Sequence, residues 1–182
     1  MSSSNTRKGE VLEDGNWTMW YMARTNKHSQ SANTYENYVN PISPISSTED
    51  FCRLWSHVQR PSALPVSTDL HIFREGLKPV WEDASNEHGG RWTLRLLKGV
   101  SDRVWEHLAM ALVGGQFKQV KGLCGVVLGV RYQEDVLSVW TMDALDVEGN
   151  VRIKEQLLHV LQLPANTVME YKPHETASVQ PK

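Results

Sequence analysis

The stretch Arg91–Leu97 constrains the fold more than any other, because apolar Trp92, Leu94 and Leu96 alternate with Arg91, Thr93 and Arg95. A period of two sets one face of a strand against a core and leaves the other wet, as in an antiparallel sheet covered on one side. Trp17–Ala23 repeats the pattern, with Trp17, Met19 and Tyr21 on one face and Trp20 and Met22 on the other. Leu70–Arg74, Cys124–Tyr132, Val136–Thr141 and Thr167–Lys172 read as further strands, and the polar link Gln133-Glu134-Asp135 makes 124–141 a hairpin. Three stretches switch to a period near 3.6. Thr48 is the expected N-cap of a helix over 49–59, with Phe51, Leu54, Trp55 and Val58 in one stripe. Ser101 is the expected cap of a helix over 102–113, with Val104, Trp105, Leu108 and Leu112 inward and Gly114-Gly115 ending it. A third helix runs roughly over 147–161, through Val151, Leu157, Leu158 and Leu161, and stops before Pro164. Half-wet strands and one-striped helices together predict an α+β domain, an antiparallel sheet with three helices on one side and a concave face free for a ligand.

At 182 residues the chain suits one domain with a sizeable core. Residues 1–12 and 174–182 are polar and expected to be flexible tails around a domain over 13–173. Nineteen Lys and Arg against 21 Asp and Glu give a net charge of -2, so the chain lacks the basic surplus needed to coat long stretches of phosphate. A few local cations can still grip one nucleotide. Cys52 and Cys124 are too few for a disulfide scaffold, and the seven histidines show no metal spacing with them, so neither a metal nor a cofactor is expected. No apolar run is long enough to span a bilayer, and residues 1–16 lack a signal-peptide core. The expectation is a soluble, cytoplasmic protein in which the sequon Asn16-Trp17-Thr18 goes unused.

The chemistry concentrates in Lys78-Pro79-Val80-Trp81-Glu82-Asp83, a loop-like stretch. An indole beside a carboxylate suits guanine: the ring stacks on the base, and the two oxygens accept adjacent N–H groups on its Watson–Crick edge. A 7-methylguanine is cationic and adds a cation–π term and Coulombic attraction. Of the other tryptophans, Trp55, Trp92 and Trp105 lie on apolar stripes and are assigned to the core. Trp17 and Trp20 face opposite sides of one strand, so one belongs to the core and the other is open.

Six motifs then occur in order between Trp17 and Tyr171. They are Trp17-Thr18-Met19-Trp20-Tyr21, Phe73-Arg74-Glu75-Gly76-Leu77-Lys78-Pro79-Val80-Trp81-Glu82-Asp83, Gly89-Gly90-Arg91-Trp92, Cys124-Gly125-Val126-Val127, Val139-Trp140-Thr141 and Leu163-Pro164. In them the chain resembles the cap-binding translation initiation factor 4E family. The resemblance implies a curved antiparallel sheet backed by three helices, and binding of the 7-methylguanosine cap of messenger RNA in translation initiation or its regulation. It implies that Trp81 and Tyr35 stack on the base, that Glu82 holds the guanine edge, and that the Trp81 N–H meets the carbonyl oxygen. By the same resemblance Trp140 touches the added methyl group, Arg131 binds phosphate, and Arg91 binds it through water.

The departures carry information too. Tyr35 stands where the family usually has Trp, a likeness to the 4E homologous proteins, and Gln133 and Val136 replace two phosphate-side lysines. A tyrosine face holds a cation less strongly, and fewer cations imply a weaker dependence on phosphates and salt. The family docks an amphipathic scaffold or regulator helix on its helical back. Here the contact positions read Thr48, Cys52, Glu106, His107 and Met110, with Cys52 in place of an aromatic anchor. Losing that anchor implies poor binding of a standard scaffold helix, or use of a different partner by a monomer.

Two other classes compete. Gly15-Asn16-Trp17 fits the Gly-x-Trp pattern of a lipocalin-like small-ligand barrel, against the cysteine and signal evidence. A cap-hydrolysing enzyme would need clustered carboxylates or a placed nucleophile, and Glu82-Asp83 is too thin a cluster.

Overall fold

The strands are β1 (Trp17–Ala23), β2 (Val39–Ile45), β3 (Thr68–Arg74), β4 (Gly90–Leu97), β5 (Leu123–Val130), β6 (Glu134–Thr141) and β7 (Glu170–Pro173). They form one sheet in the order β2-β1-β3-β5-β6-β4-β7, every neighbour antiparallel. The computed structural model describes residues 10–23, 38–81 and 83–174. Among them are three α-helices, α1 (Thr48–Trp55), α2 (Ser101–Val113) and α3 (Val147–Val160).

Alternation decides which side chains meet the helices. Met19, Ile72, Val126, Val139 and, one row on, Leu70, Leu128, Leu137 and Leu94 point to one face and join Leu108, Leu112, Ile153 and Leu157 of the helices in a single core. Trp17 and Trp105 are buried there, while Trp55 and Trp92 pack half-buried against it. The opposite face carries a small second cluster, Phe73, Cys124 and Trp140, flanked by Trp20. Trp17 is thus the core member of β1 and Trp20 belongs to the other side.

The helix ends differ from expectation for local reasons. Ser47, not Thr48, caps α1, its Oγ accepting from Asp50 N at 3.1 Å. The Ser47 side chain, hydrogen-bonded to the Asp50 carboxyl as well, is the main reason that carboxyl is held below its usual range, with the Ser46 N–H and Arg53 adding to it. The helix stops at Trp55 rather than 59: Arg60, before Pro61, must be extended, and the Ser56 hydroxyl donates to the Arg53 carbonyl left free at the helix end, at 2.8 Å. Ser101 does not cap α2: its hydroxyl is buried on the Asp135 carboxylate, and Val100 holds the cap position without a side-chain bond. Asp146 caps α3, accepting from Gly149 N at 2.9 Å, and Val151 faces outward.

The sheet is open. β2, absent from the sequence-based expectation, forms one margin despite Pro41 and Pro44, residues that a sheet tolerates at its edge. The four-residue β7 forms the other. Neither margin pairs with the other, so the lipocalin-like closed barrel is overturned. The ordered body reaches past the expected 13–173 at both ends, since Leu12 is in the core and His174 is buried.

Candidate functional site

The face away from the helices is built in rows. Register places Thr18, Phe73, Gly125, Trp140 and Arg91 side by side, then Trp20, His71, Val127, Ser138 and Thr93, then Met22, Asp69, Gly129, Val136 and Arg95. Gly125 is required in the first row, because a Cβ there would lie 2.5 Å from the Phe73 ring and 2.6 Å from Ile72 O.

Trp81 follows in the loop that leaves β3. Beyond β3 the chain is pinned by Arg74, which donates from Nε to Leu123 O at 3.0 Å and from Nη1 to Asp14 O at 2.6 Å, and lies 4.6 Å from the Trp17 ring centre. Leu77 packs against the Phe73–Cys124–Trp140 cluster, and Pro79 and Val80 are buried. Trp81 then projects with 39% of its surface exposed, an unusual cost for an indole inside a pinned loop. Asn86, 1% exposed, clamps this loop by donating both amide hydrogens, to Lys78 O at 2.7 Å and Val80 O at 2.8 Å.

The cations lie at two ends of the same face. Arg91, in the first row beside Trp140, makes no ion pair among the described residues. Arg131 follows β5, and its guanidinium folds back across Gly129, where a Cβ would stand 2.7 Å from Nη2. Its Nη1 is 2.6 Å from the buried Asp69 carboxylate, a close ion pair rather than an aligned hydrogen bond, and it also donates to Val130 O at 3.1 Å. Asp69 therefore offsets part of the Arg131 charge while holding its position. Of the two positions that lack lysine, Val136 lies on this face and Gln133 is exposed in the turn.

Trp140 is only 6% exposed. It meets the Phe73 ring edge-on at 5.4 Å, and His174 covers it at 4.2 Å, fixed by its own N–H on Gly89 O at 2.9 Å. Burial pushes the His174 imidazole down to about 4, and Arg91 adds to the push. Trp140, Arg91 and Arg131 thus share one face, and Trp81 stands exposed on the loop after β3, whose Leu77 packs against the Trp140 cluster. Tyr35 and Glu82 lie outside the described residues. The expected partner positions lie on α1 and α2 on the other side, where Thr48, Cys52, Glu106 and Met110 are exposed and His107 is half-buried.

Asp69, His71, Asn86 and His174 carry no motif signal of their own. The available hint was that Asp69 and His71 alternate with Leu70 and Ile72, which places both on the ligand side of β3. His71 is fully buried, and both ring nitrogens lack a partner. Burial lowers its imidazole to about 4, with Asp69 opposing and Arg131 assisting. Its folded value is depressed, so the unfolded chain binds the extra proton between about pH 6.5 and 4, and stability falls as pH drops through that window. His71→Leu is expected to flatten that acid limb in denaturant titrations run from pH 7 to 4; an unchanged slope would show that His71 does not drive it.

A sequence model described as Eukaryotic initiation factor 4E matches residues 13–182. The Oryza sativa subsp. japonica protein named Eukaryotic translation initiation factor NCBP is 40% identical over 183 residues, covering 97% of this chain and 79% of that one. Caenorhabditis elegans Eukaryotic translation initiation factor 4E-4 is 47% identical over 141 residues, 78% of this chain and 66% of that one. Among solved structures, Ascaris suum eIF4E-3 with m7G cap superposes with a TM-score of 0.82 at 32% identity, covering 96% of this chain and 97% of that one. Caenorhabditis elegans eIF4E-3 with the 4E-binding protein Mextli and cap analog gives 0.82 at 33%, covering 92% and 94%.

Proposed function

The chain belongs to the eukaryotic initiation factor 4E family, and from that premise we propose that its concave face binds the 7-methylguanosine cap of messenger RNA in translation initiation or its regulation. The observation that carries this reading is Trp81, an exposed indole on a clamped loop at the same end of the sheet as Trp140 and Arg91. Trp81 stacks on one side of the base and Tyr35 on the other, Glu82 takes the edge, and Trp140 meets the methyl group. The phosphates run along the face toward Arg131, with Arg91 reaching them through water. Four residues of strand separate the first row from the third, about 13 Å at the usual rise, a span suited to a nucleotide with its phosphates.

The protein acts as a binding module and not an enzyme, in the cytoplasm. The solved relative in complex with Mextli supports a regulator protein as partner, and the reading places it on the helical back, at Thr48, Cys52, Glu106 and Met110. With Cys52 exposed and no large anchor there, that partner grips differently from a standard scaffold helix.

Retention on immobilised 7-methyl-GTP, eluted by free 7-methyl-GTP and not by GTP, tests the assignment. Equal elution by both nucleotides would overturn it. Arg131→Gln is expected to lower the ratio of 7-methyl-GTP to 7-methyl-GMP affinity roughly tenfold, the size of one charge-assisted contact. It also makes binding less salt-sensitive. A preserved ratio in fluorescence titrations would remove Arg131 from the phosphate path.

A further inference from the structure

The loop that carries Trp81 turns back on its own carbonyl groups: Lys78 O accepts from Val80 N at 2.9 Å and Val80 O from Asp83 N at 3.3 Å. Pro79 between them offers no N–H, and a carbonyl oxygen has room for a second donor. The two amide hydrogens of Asn86 supply that second donor to both, at 2.7 and 2.8 Å, tying the turn to a buried side chain outside it. The amide orientation follows from this: its oxygen has no partner, and a flipped amide would set that oxygen against two carbonyls.

Asn86 is in turn fastened to the sheet. Its N–H donates to Asp83 O at 2.8 Å, and its carbonyl accepts from Gly89 N at 2.9 Å. Gly89 fits so closely under β6 that a Cβ would come within 1.9 Å of Thr141 O, and its carbonyl accepts from His174 N at 2.9 Å. Ala144 N donates to His88 O at 2.8 Å. A continuous set of short contacts therefore runs from the residue after Trp140, through Gly89 and Asn86, to the residue before Trp81.

We propose that Asn86 is the positioning residue of base recognition, setting where Trp81 stands relative to Trp140 through its paired bonds to Lys78 and Val80. This rests on the reading of Trp81 as a base-stacking ring. Asn86 never touches the nucleotide; it fixes the slot width before the nucleotide arrives, so the ligand need not order the loop. Asn86→Asp keeps the shape, but sets carboxylate oxygens against two carbonyls. Asn86→Ala removes the donors without that repulsion.

The test uses the full chain with Asn86→Asp, Asn86→Ala and Trp81→Ala, titrated with 7-methyl-GMP and 7-methyl-GTP. Both Asn86 variants are expected to weaken the two nucleotides by the same factor, at least tenfold for Asp and less for Ala. The ratio between nucleotides stays at the wild-type value, because the phosphate end is untouched. Amide exchange is expected to quicken over 78–83 and to keep its wild-type rate in β5 and β6. Wild-type affinity in both Asn86 variants, with loss in Trp81→Ala, sinks the positioning role alone. Exchange that quickens throughout the sheet also overturns it, since Asn86 would then serve general stability. Wild-type affinity in Trp81→Ala instead removes the base-stacking reading on which the proposal stands.

Discussion

Glu82→Ala is expected to abolish retention on immobilised 7-methyl-GTP while leaving the protein folded. Two charge-assisted bonds from one carboxylate to the guanine edge are worth roughly 1.5–3 kcal/mol each. Their joint loss lowers affinity at least a hundredfold, since about 1.4 kcal/mol is a factor of ten. The stacked ring cannot compensate, because one stacked base contributes about 1–3 kcal/mol. Much of the preference for the methylated base should go with the carboxylate, whose attraction grows with the base's positive charge. Isothermal titration with 7-methyl-GTP and GTP, beside a circular-dichroism melt, reads both effects. Undiminished retention would reject the role given to Glu82.

Trp105→Ala is expected to be the most damaging single change to the fold. The indole lies on α2 at 1% exposure within the main core, and a surface pocket of about 300 Å³ lined by Trp55, Pro61 and Trp105 already adjoins it. Removing the ring enlarges an existing gap that its neighbours cannot close. The expected cost is roughly 3–5 kcal/mol, a large share of the 5–15 kcal/mol that holds a typical domain together. For a chain of this size the melting temperature falls about 6–20 °C. Met110→Ala, five residues further along α2 but 48% exposed, should change stability by no more than about 0.5 kcal/mol. A Trp105 variant that melts like Met110→Ala would contradict this account of the core.

Periodicity was a good guide where one face of an element is wet. β4 adds only Gly90 to the expected Arg91–Leu97, because its polar side chains interrupt the apolar ones at regular intervals, and β1 runs over the expected Trp17–Ala23, a run rich in aromatic residues that suits a strand. It failed at β2, whose two prolines mimic a loop, and at the end of α1, where Pro61 acts from outside the helix. It placed Val151 inward because an apolar residue on a helix reads as core, whereas it is 40% exposed. In the site, Trp81 was legible as a large ring in a polar loop. Asp69 and His71 were not: a polar residue in a strand reads as solvated, yet β3 is buried along almost its whole length on both faces. Asn86 was invisible because its work is done on carbonyl groups eight and six residues earlier, which no side-chain pattern records. His174 was assigned to a tail, and its place on Trp140 depends on β7 pairing with β4.

The margins of the sheet have a consequence for the protein in concentrated solution. A strand from a second molecule that tried to lengthen the sheet beyond β2 would meet Pro41 and Pro44, two positions that can donate nothing to it. At the far side it would find only the four residues of β7. Stacking of copies edge to edge into ribbons is therefore discouraged at both ends, by missing hydrogens at one and by shortness at the other.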